Sequence, residues 1–413
     1  MATGVTKYAD VSSDAVSAYI IKRTLEIAEK QTVFKQFAQS EPLPSQNSKT
    51  VQFTRYNRLD LPLSPSEEDT DPTPQKLSVS TVTAVVDIWK ATVTLTDVGM
   101  LTIAHPILQK TLNLLGIQSG ELIDREIQNT LIGGTNIIFP GSVASRGALA
   151  GTDKLTKTTI RKIVKTHRKN GAKAWDGKNY IMVVDPGVEA DIIDSIESAI
   201  QYKDIEPLLN EEIGRFGGCR FVRSNFIPEL SLLADATYAD SATAGSLTAS
   251  TNYYFKVEGV NASTGMIEAI SAQKIQATGA GKTAIDVTFN AIATYVYNLY
   301  GSTVDGGPWY LIASQKAASS VYTVTAIPAS GNQPQATPPT GVTVHISYLI
   351  GKESFAVVDL VGMSNFKVLI TPANEVSDSN PTGSRRKVSW KAAFKTVILN
   401  QDYLARVESA SGY

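Results

Sequence analysis

The sequence predicts an α+β chain of several domains, interrupted by an all-β sandwich, and three observations lead there. Its 413 residues exceed what one hydrophobic core usually serves. Helical and strand periodicities alternate through residues 1–230. Between residues 235 and 345 only about ten residues are charged, Ser, Thr, Ala, Gly and Tyr dominate, and no helical period is present.

Composition narrows the function classes. Lys and Arg number 38 against 39 Asp and Glu, a formal net charge of -1, which gives no general basis for gripping nucleic acid. A protein partner is the expectation. One cysteine, Cys219, cannot pair within the chain and reads as a small buried apolar residue in a reducing compartment. The opening MATGVTKYADVSSDAV lacks the basic and apolar regions of a signal peptide. No run of about eighteen apolar residues occurs, so a soluble protein without a membrane partner is expected. The three histidines, His105, His167 and His345, lie far apart, and a metal site or a histidine triad would need distant parts of the fold. No catalytic residue, metal ligand or cofactor is expected.

Residues 12–38 carry Val16, Tyr19, Ile20, Leu25, Ile27, Ala28, Phe34 and Phe37 at spacings near three and four, behind Ser12, Ser13 and Asp14 as N-caps. This predicts an amphipathic helix, or two with a break, standing ahead of the body like an arm. Residues 50–56, 80–89 and 91–95 alternate like strands. Between the first two lies LPLSPSEEDTDPTPQ, a long polar loop with Glu67, Glu68, Asp69 and Asp71 close together, read either as a solvated acidic loop or as a contact to a neighbouring chain.

Pro106 opens a long helical pattern through Leu131, which Gly133 and Gly134 terminate, with Gly116 and Gly120 marking a bend or a close backbone approach. TKTTIRKIVKTHRKNGAK sets Ile160, Ile163 and Val164 on one helical face and cations on the rest, which favours a solvated face over a contact with phosphate or an acidic neighbour. Residues 180–184 form an apolar run typical of a buried strand, and residues 186–200 read as another helix. Within residues 235–345, strand-like stretches at 252–257, 285–289, 295–300, 310–313 and 321–325 predict a sandwich of immunoglobulin or fibronectin type. Mixed character returns after it, so the sandwich interrupts a single body.

TGAGKT, residues 278–283, is the one stretch that looks like chemistry. A phosphate-binding loop needs a glycine where Gln276 stands and a helix after it, whereas AIDVTF alternates as a strand. A glycine-rich hairpin turn fits better, and no enzyme is predicted.

LIDREIQNTLIGGTNIIFPG, NYIMVVDPGVEADI, GRFGGCRFVRSNFIPEL, GKESFAVVDL and WKAAFKTVILNQDYLARVES, taken in order, resemble segments of the HK97-like major capsid proteins of tailed bacteriophages. The resemblance covers most of residues 1–230 and 346–413. It implies an N-terminal arm (1–49), an E-loop hairpin (50–97), a P-domain spine helix (98–135), an A-domain (136–234), an inserted Ig-like sandwich (235–345) and a return to the P-domain (346–413). It further implies self-assembly into hexamers and pentamers of an icosahedral head that encloses double-stranded DNA non-specifically. Portal, scaffolding or decoration proteins would be further partners, with assembly in the host bacterial cytoplasm and a final place in the virion capsid. The acidic tip with Glu67, Glu68, Asp69 and Asp71 would face a basic element, Arg385, Arg386 and Lys387 or the basic helix, as inter-subunit contacts that set register. The alternative is a decoration or surface-binding protein that works through its sandwich.

Overall fold

The computed structural model describes residues 32–43, 49–56, 59–61, 74–102, 107–196, 212–360, 367–371, 376 and 381–412. In chain order the strands begin with β1 Gln39–Leu43, β2 Thr50–Tyr56, β3 Val79–Val85, β4 Asp87–Thr96, β5 Ile137–Ile138, β6 Tyr180–Val184, β7 Glu212–Phe216, β8 Cys219–Arg223 and β9 Glu229–Leu233. Next come β10 Thr237–Asp240, β11 Asn252–Asn261, β12 Ile267–Ser271, β13 Lys274–Ala277, β14 Ile285–Thr288, β15 Tyr295–Ser302, β16 Tyr310–Lys316 and β17 Val321–Val324. The last are β18 Val344–Ile350, β19 Phe355–Leu360, β20 Lys367–Ile370, β21 Arg385–Ile398 and β22 Leu404–Ala410. Four α-helices, Asp97–Thr102, Ile107–Leu131, Lys157–Lys169 and Pro186–Ile196, fall within the described residues. The chain divides into two compact units, residues 1–130 with 353–401 and residues 131–352 with 402–413.

The axis of the first unit is β21, fourteen residues long. One edge of it pairs with β4 from Arg385↔Thr96 to Phe394↔Asp87, and the other with β20 and then β19, all antiparallel. Strand β1 adds in parallel to β19. Helix Ile107–Leu131 turns Leu112, Leu115, Ile123 and Ile127 inward at spacings of three, eight and four, the stripe of a helix with one buried face. Gly116 and Gly120 lie buried on that face, and the helix is continuous through them. Gly134 N–H donates to the Leu131 carbonyl just past the helix end, which is the expected stop. Trp390 Nε1–H donates to Gln118 Oε1 at 3.3 Å, and the Arg125 guanidinium lies over the Trp89 ring at 5.5 Å, tying the helix to β21 and β4.

The arm expected over residues 12–38 falls mostly outside the described residues. Its described end is held by a contact with no trace in the local sequence. Asp124, fully buried in the long helix, accepts the backbone N–H groups of Val33 (2.6 Å) and Phe34 (3.1 Å). Phe34 and Phe37 are buried beside it in sequence, as their helical spacing anticipated, although residues 35–37 form a 3-10 turn.

The second unit is built on one large sheet, ordered β16-β15-β11-β12-β9-β18-β6-β8-β7, with β22 also on β18. Strand β6 is buried throughout, as its apolar run requires, and runs parallel to β8. Helix Lys157–Lys169 packs Ile160, Ile163, Val164 and His167 against Met182, Val184, Phe221 and Leu349, leaving Arg161, Lys162, Lys165, Arg168 and Lys169 exposed. Within this chain the cationic face is left exposed. Cys219 is buried in the same core, and that burial pushes its thiol up to about 12, so it stays an unreactive apolar filler.

Residues 237–324 contribute eight strands to two layers. A three-stranded sheet, β10-β14-β17, shares one core with β11, β15 and β16: Ile285, Val287 and Val324 on one side meet Phe255, Val257, Tyr297 and Leu299 on the other. All five stretches read as strands from alternation are strands. The second layer is continuous with the large sheet, because β12 pairs in parallel with β9.

Candidate assembly surface

Four places carried the functional expectations: the hairpin near residues 50–85, the basic run at 385–387, the TGAGKT loop and the histidines.

Strands β2 and β3 form a two-stranded sheet in register from Thr50↔Val85 to Tyr56↔Val79. Ala84 is buried at its base, with Val51, Phe53 and Val82 packed on the cluster of Leu43, Val86, Val358 and Ala393. Toward the far end nothing among the described residues covers it. Tyr56 and Leu61 are 64% and 68% exposed, and Leu59, Leu77 and Val79 are exposed beside them in sequence. An isolated two-stranded sheet is marginal in water, and a concentration of exposed large apolar side chains marks a contact surface. The acidic residues Glu67, Glu68, Asp69 and Asp71 lie outside the described residues.

Arg385, Arg386 and Lys387 open β21, so alternate side chains leave opposite faces of the strand. Arg386 Nε–H donates to the Thr371 carbonyl at 3.0 Å, and Lys387 N–H to Thr371 Oγ1 at 3.3 Å, which fixes the start of the strand against the segment after β20. Sequence alone brought these three together; the structure adds that they stand on a strand paired with β4 from Arg385↔Thr96 to Lys387↔Thr94.

TGAGKT is a turn between β13 and β14, which sit in different sheets, so it is a corner between layers instead of a hairpin. Lys282 N–H closes the turn on the Gly279 carbonyl, and Gly281 takes the left-handed φ of +69° that glycine allows. Gly279 N–H donates to Asp240 Oδ1 at 3.0 Å, and Thr283 Oγ1 accepts the Gly245 N–H at 2.9 Å. A protein carboxylate occupies the donor that a phosphate would need, and a strand follows the turn. The loop has no phosphate-binding geometry.

His105 lies outside the described residues. His167 is buried, its ring edge-on to Tyr180 at 5.6 Å, and burial lowers its pKa to about 4, against the opposing effects of the Tyr403 backbone and the Asp402 charge. It is a neutral core histidine. His345 is different: the fold sets its Nδ1 2.9 Å from Asp185 Oδ2 and 3.9 Å from Glu229 Oε1. Sequence reading missed this cluster because Asp185 and His345 are 160 residues apart.

A second grouping also escaped the sequence. Arg146 Nε and Nη2 donate to both oxygens of Glu408 at 2.7 and 2.5 Å, and Nη1 donates to the Ala336 carbonyl at 2.5 Å. Arg406 Nε lies 2.9 Å from the same carboxylate. Glu258, pushed up by burial, accepts the Gln335 N–H and the Tyr300 hydroxyl. Three segments distant in sequence are thereby held by buried charge.

No protein-family model and no curated protein matches the sequence. Solved structures do. The capsid of Ralstonia phage GP4 is similar over 93% of this chain and 92% of that one, with a TM-score of 0.54 and 11% identity. The head structure of Helicobacter pylori bacteriophage KHP40 is similar over 92% and 89%, with a TM-score of 0.51 and 10% identity. The acid-stable capsid of Helicobacter pylori bacteriophage KHP30 gives 92% and 89%, a TM-score of 0.50 and 11% identity. The fold is that of phage capsid chains. At such identity it is backbone architecture that is shared, across nearly the whole of both chains. Among the described residues no helix is long and apolar enough to cross a membrane.

Proposed function

We propose that this chain is the major capsid protein of a tailed bacteriophage, of the HK97-like kind, assembling into hexamers and pentamers of an icosahedral head around double-stranded DNA. The observation that carries the reading is likeness of fold to phage capsid chains over more than nine-tenths of the sequence. Hairpin β2–β3, with its uncovered apolar end, is the E-loop in this reading and lies on a neighbouring subunit. Helix Ile107–Leu131 is the spine, and residues 1–49 are the arm.

The acidic tip with Glu67, Glu68, Asp69 and Asp71 meets a basic element of the next subunit, Arg385, Arg386 and Lys387 being our choice. Such charge pairs select register more than they add affinity, and a closed shell repeats each of them many times. A net charge of -1 suits an inner wall that must hold packed DNA without gripping it. Residues 235–345 are an inserted Ig-like sandwich in this reading, facing outward. Portal, scaffolding or decoration proteins complete the head, which assembles in the host cytoplasm.

Electron microscopy with sedimentation tests this on the expressed chain. Closed shells or rings of hexamer size are expected, and replacing Arg385, Arg386 and Lys387 together by Glu is expected to abolish them while leaving a folded subunit. A subunit that stays monomeric at every concentration and salt would overturn the capsid reading; shells that form normally from the triple variant would overturn only the choice of basic partner.

A further inference from the structure

Strand β9 leads the chain into residues 234–343, and β18 follows them. They lie side by side, antiparallel, with Val344 opposite Leu230 and His345 opposite Glu229. Asp185 follows β6, the next strand across, and caps helix Pro186–Ile196: its Oδ2 accepts the Gly187 N–H at 3.0 Å. Three ligand-type atoms from three strand ends, His345 Nδ1, Asp185 Oδ2 and Glu229 Oε1, all lie within 4.8 Å of one another.

A hydrogen bond between His345 and Asp185 joins two of these groups, and the β9–β18 register sets Glu229 opposite His345 as the third. The surroundings suit a cation. Asp185 and Glu229 line a cavity of about 550 Å³, and Glu268 is a third carboxylate on its wall. Among the described residues no lysine or arginine lines it. A concave, partly desolvated surface carrying only negative side chains raises the local concentration of cations. The cavity opens beyond the carboxyl ends of the parallel strands β6 and β8, where open α/β sheets commonly receive ligands.

We propose that Asp185, Glu229 and His345 bind one divalent transition-metal cation, of the Zn2+ class, and that this ion ties the strands entering and leaving residues 234–343 to the start of helix Pro186–Ile196. One imidazole nitrogen with two carboxylates is a donor set for borderline cations such as Zn2+, and an all-oxygen set would be expected for Ca2+ or Mg2+. Two of the three donors, Asp185 and His345, are already buried, so little conformational freedom is lost on binding. Gly187 N–H holds the Asp185 carboxylate in place, as an outer-shell donor does at metal sites. Water from the cavity completes the coordination. The ion takes Nδ1 in its unprotonated form, so the imidazole proton resides on Nε2 and the Nδ1–H bond to Asp185 is replaced by metal coordination.

The test uses the full-length chain, stripped with EDTA and titrated with ZnCl2 by isothermal calorimetry, with thermal melts alongside. One Zn2+ per chain and a raised Tm are expected. Glu229→Gln, a change at an exposed side chain, is expected to weaken binding at least tenfold while leaving the Tm of the metal-free protein unchanged. His345→Ala should abolish binding; should that variant fail to fold, Glu229→Gln decides alone. Absence of saturable binding, or binding to Glu229→Gln as tight as to the native chain, overturns the site.

Discussion

Asp124 shows how a single residue can govern an attachment. It is fully buried, and burial raises its pKa to about 7 even though the Val33, Phe34 and Lys35 N–H groups and the Lys35 charge pull the other way. A carboxyl with a folded pKa of about 7 and an ordinary value of 3.8 binds its proton more tightly in the fold. Its favourable contribution is therefore complete below pH 3.8 and is lost as pH rises toward 7, at up to about 1.4 kcal/mol per pH unit. Denaturant titrations of the unassembled subunit between pH 4.5 and 7.5 should show that loss, and Asp124→Asn should remove it. An unchanged slope in the variant would assign the pH dependence elsewhere. Opposite in sign, His167 has a folded pKa lowered to about 4, so its contribution is present above 6.5 and is lost as pH falls toward 4.

At the level of elements, buried charge does work that apolar contact does elsewhere. The Arg146–Glu408 pair joins the loop at residues 140–149 to β22, and the third guanidinium nitrogen reaches the Ala336 carbonyl in the segment that returns from β17. Replacing such a pair outright by well-packed apolar groups is often neutral, whereas removing one member strands the other charge. Arg146→Met is thus expected to destabilise the second unit by about 3–5 kcal/mol, read from urea melts. The double change Arg146→Met, Glu408→Leu should not recover that loss, because it leaves the buried Arg406 guanidinium without the carboxylate 2.9 Å away. A single variant as stable as the native chain would show that solvent already screens the pair.

At the scale of the whole molecule, the register of β9 and β18 explains how a chain tolerates some hundred residues between them. With Leu230 opposite Val344, continuing the same ladder sets residue 233 facing residue 341, so a short turn could join them. Strand β18 begins at Val344, so a deletion that ends at residue 341 spares it. Removing residues 236–341 and joining 235 directly to 342, which leaves residues 233–235 as a three-residue turn between the facing 232 and 342, should leave the β6–β8–β18–β22 core folded. By electron microscopy and thermal melts, assemblies of normal shape but lower Tm are expected, because Leu233 belongs to the core shared with Phe255 and Ile285. Loss of folding would show that residues 236–341 are integral to the unit.

What the sequence determined by itself is what depends on neighbours along the chain. Periods of 3.6 and 2 located the long helix, the basic helix with its buried Ile160, Ile163 and Val164, the buried strand β6 and five of the eight strands of residues 237–324, β10, β12 and β13 being missed. Spacing alone also denied TGAGKT a phosphate, since a missing glycine and a following strand are local facts. The order of segments sufficed to point at a capsid architecture whose fold the structure shares with phage capsid chains. Only the tertiary structure decided what depends on distance in space: that β12 joins the large sheet at β9, that Asp124 holds Val33 and Phe34, that Arg146 meets Glu408, and that His345 faces Asp185 and Glu229. Those partners lie about 40 to 260 residues apart, and no periodicity carries that information. Hydrophobic burial is non-directional and so shows in composition and pattern, whereas a buried charge needs one partner at one distance, which the folded chain alone supplies.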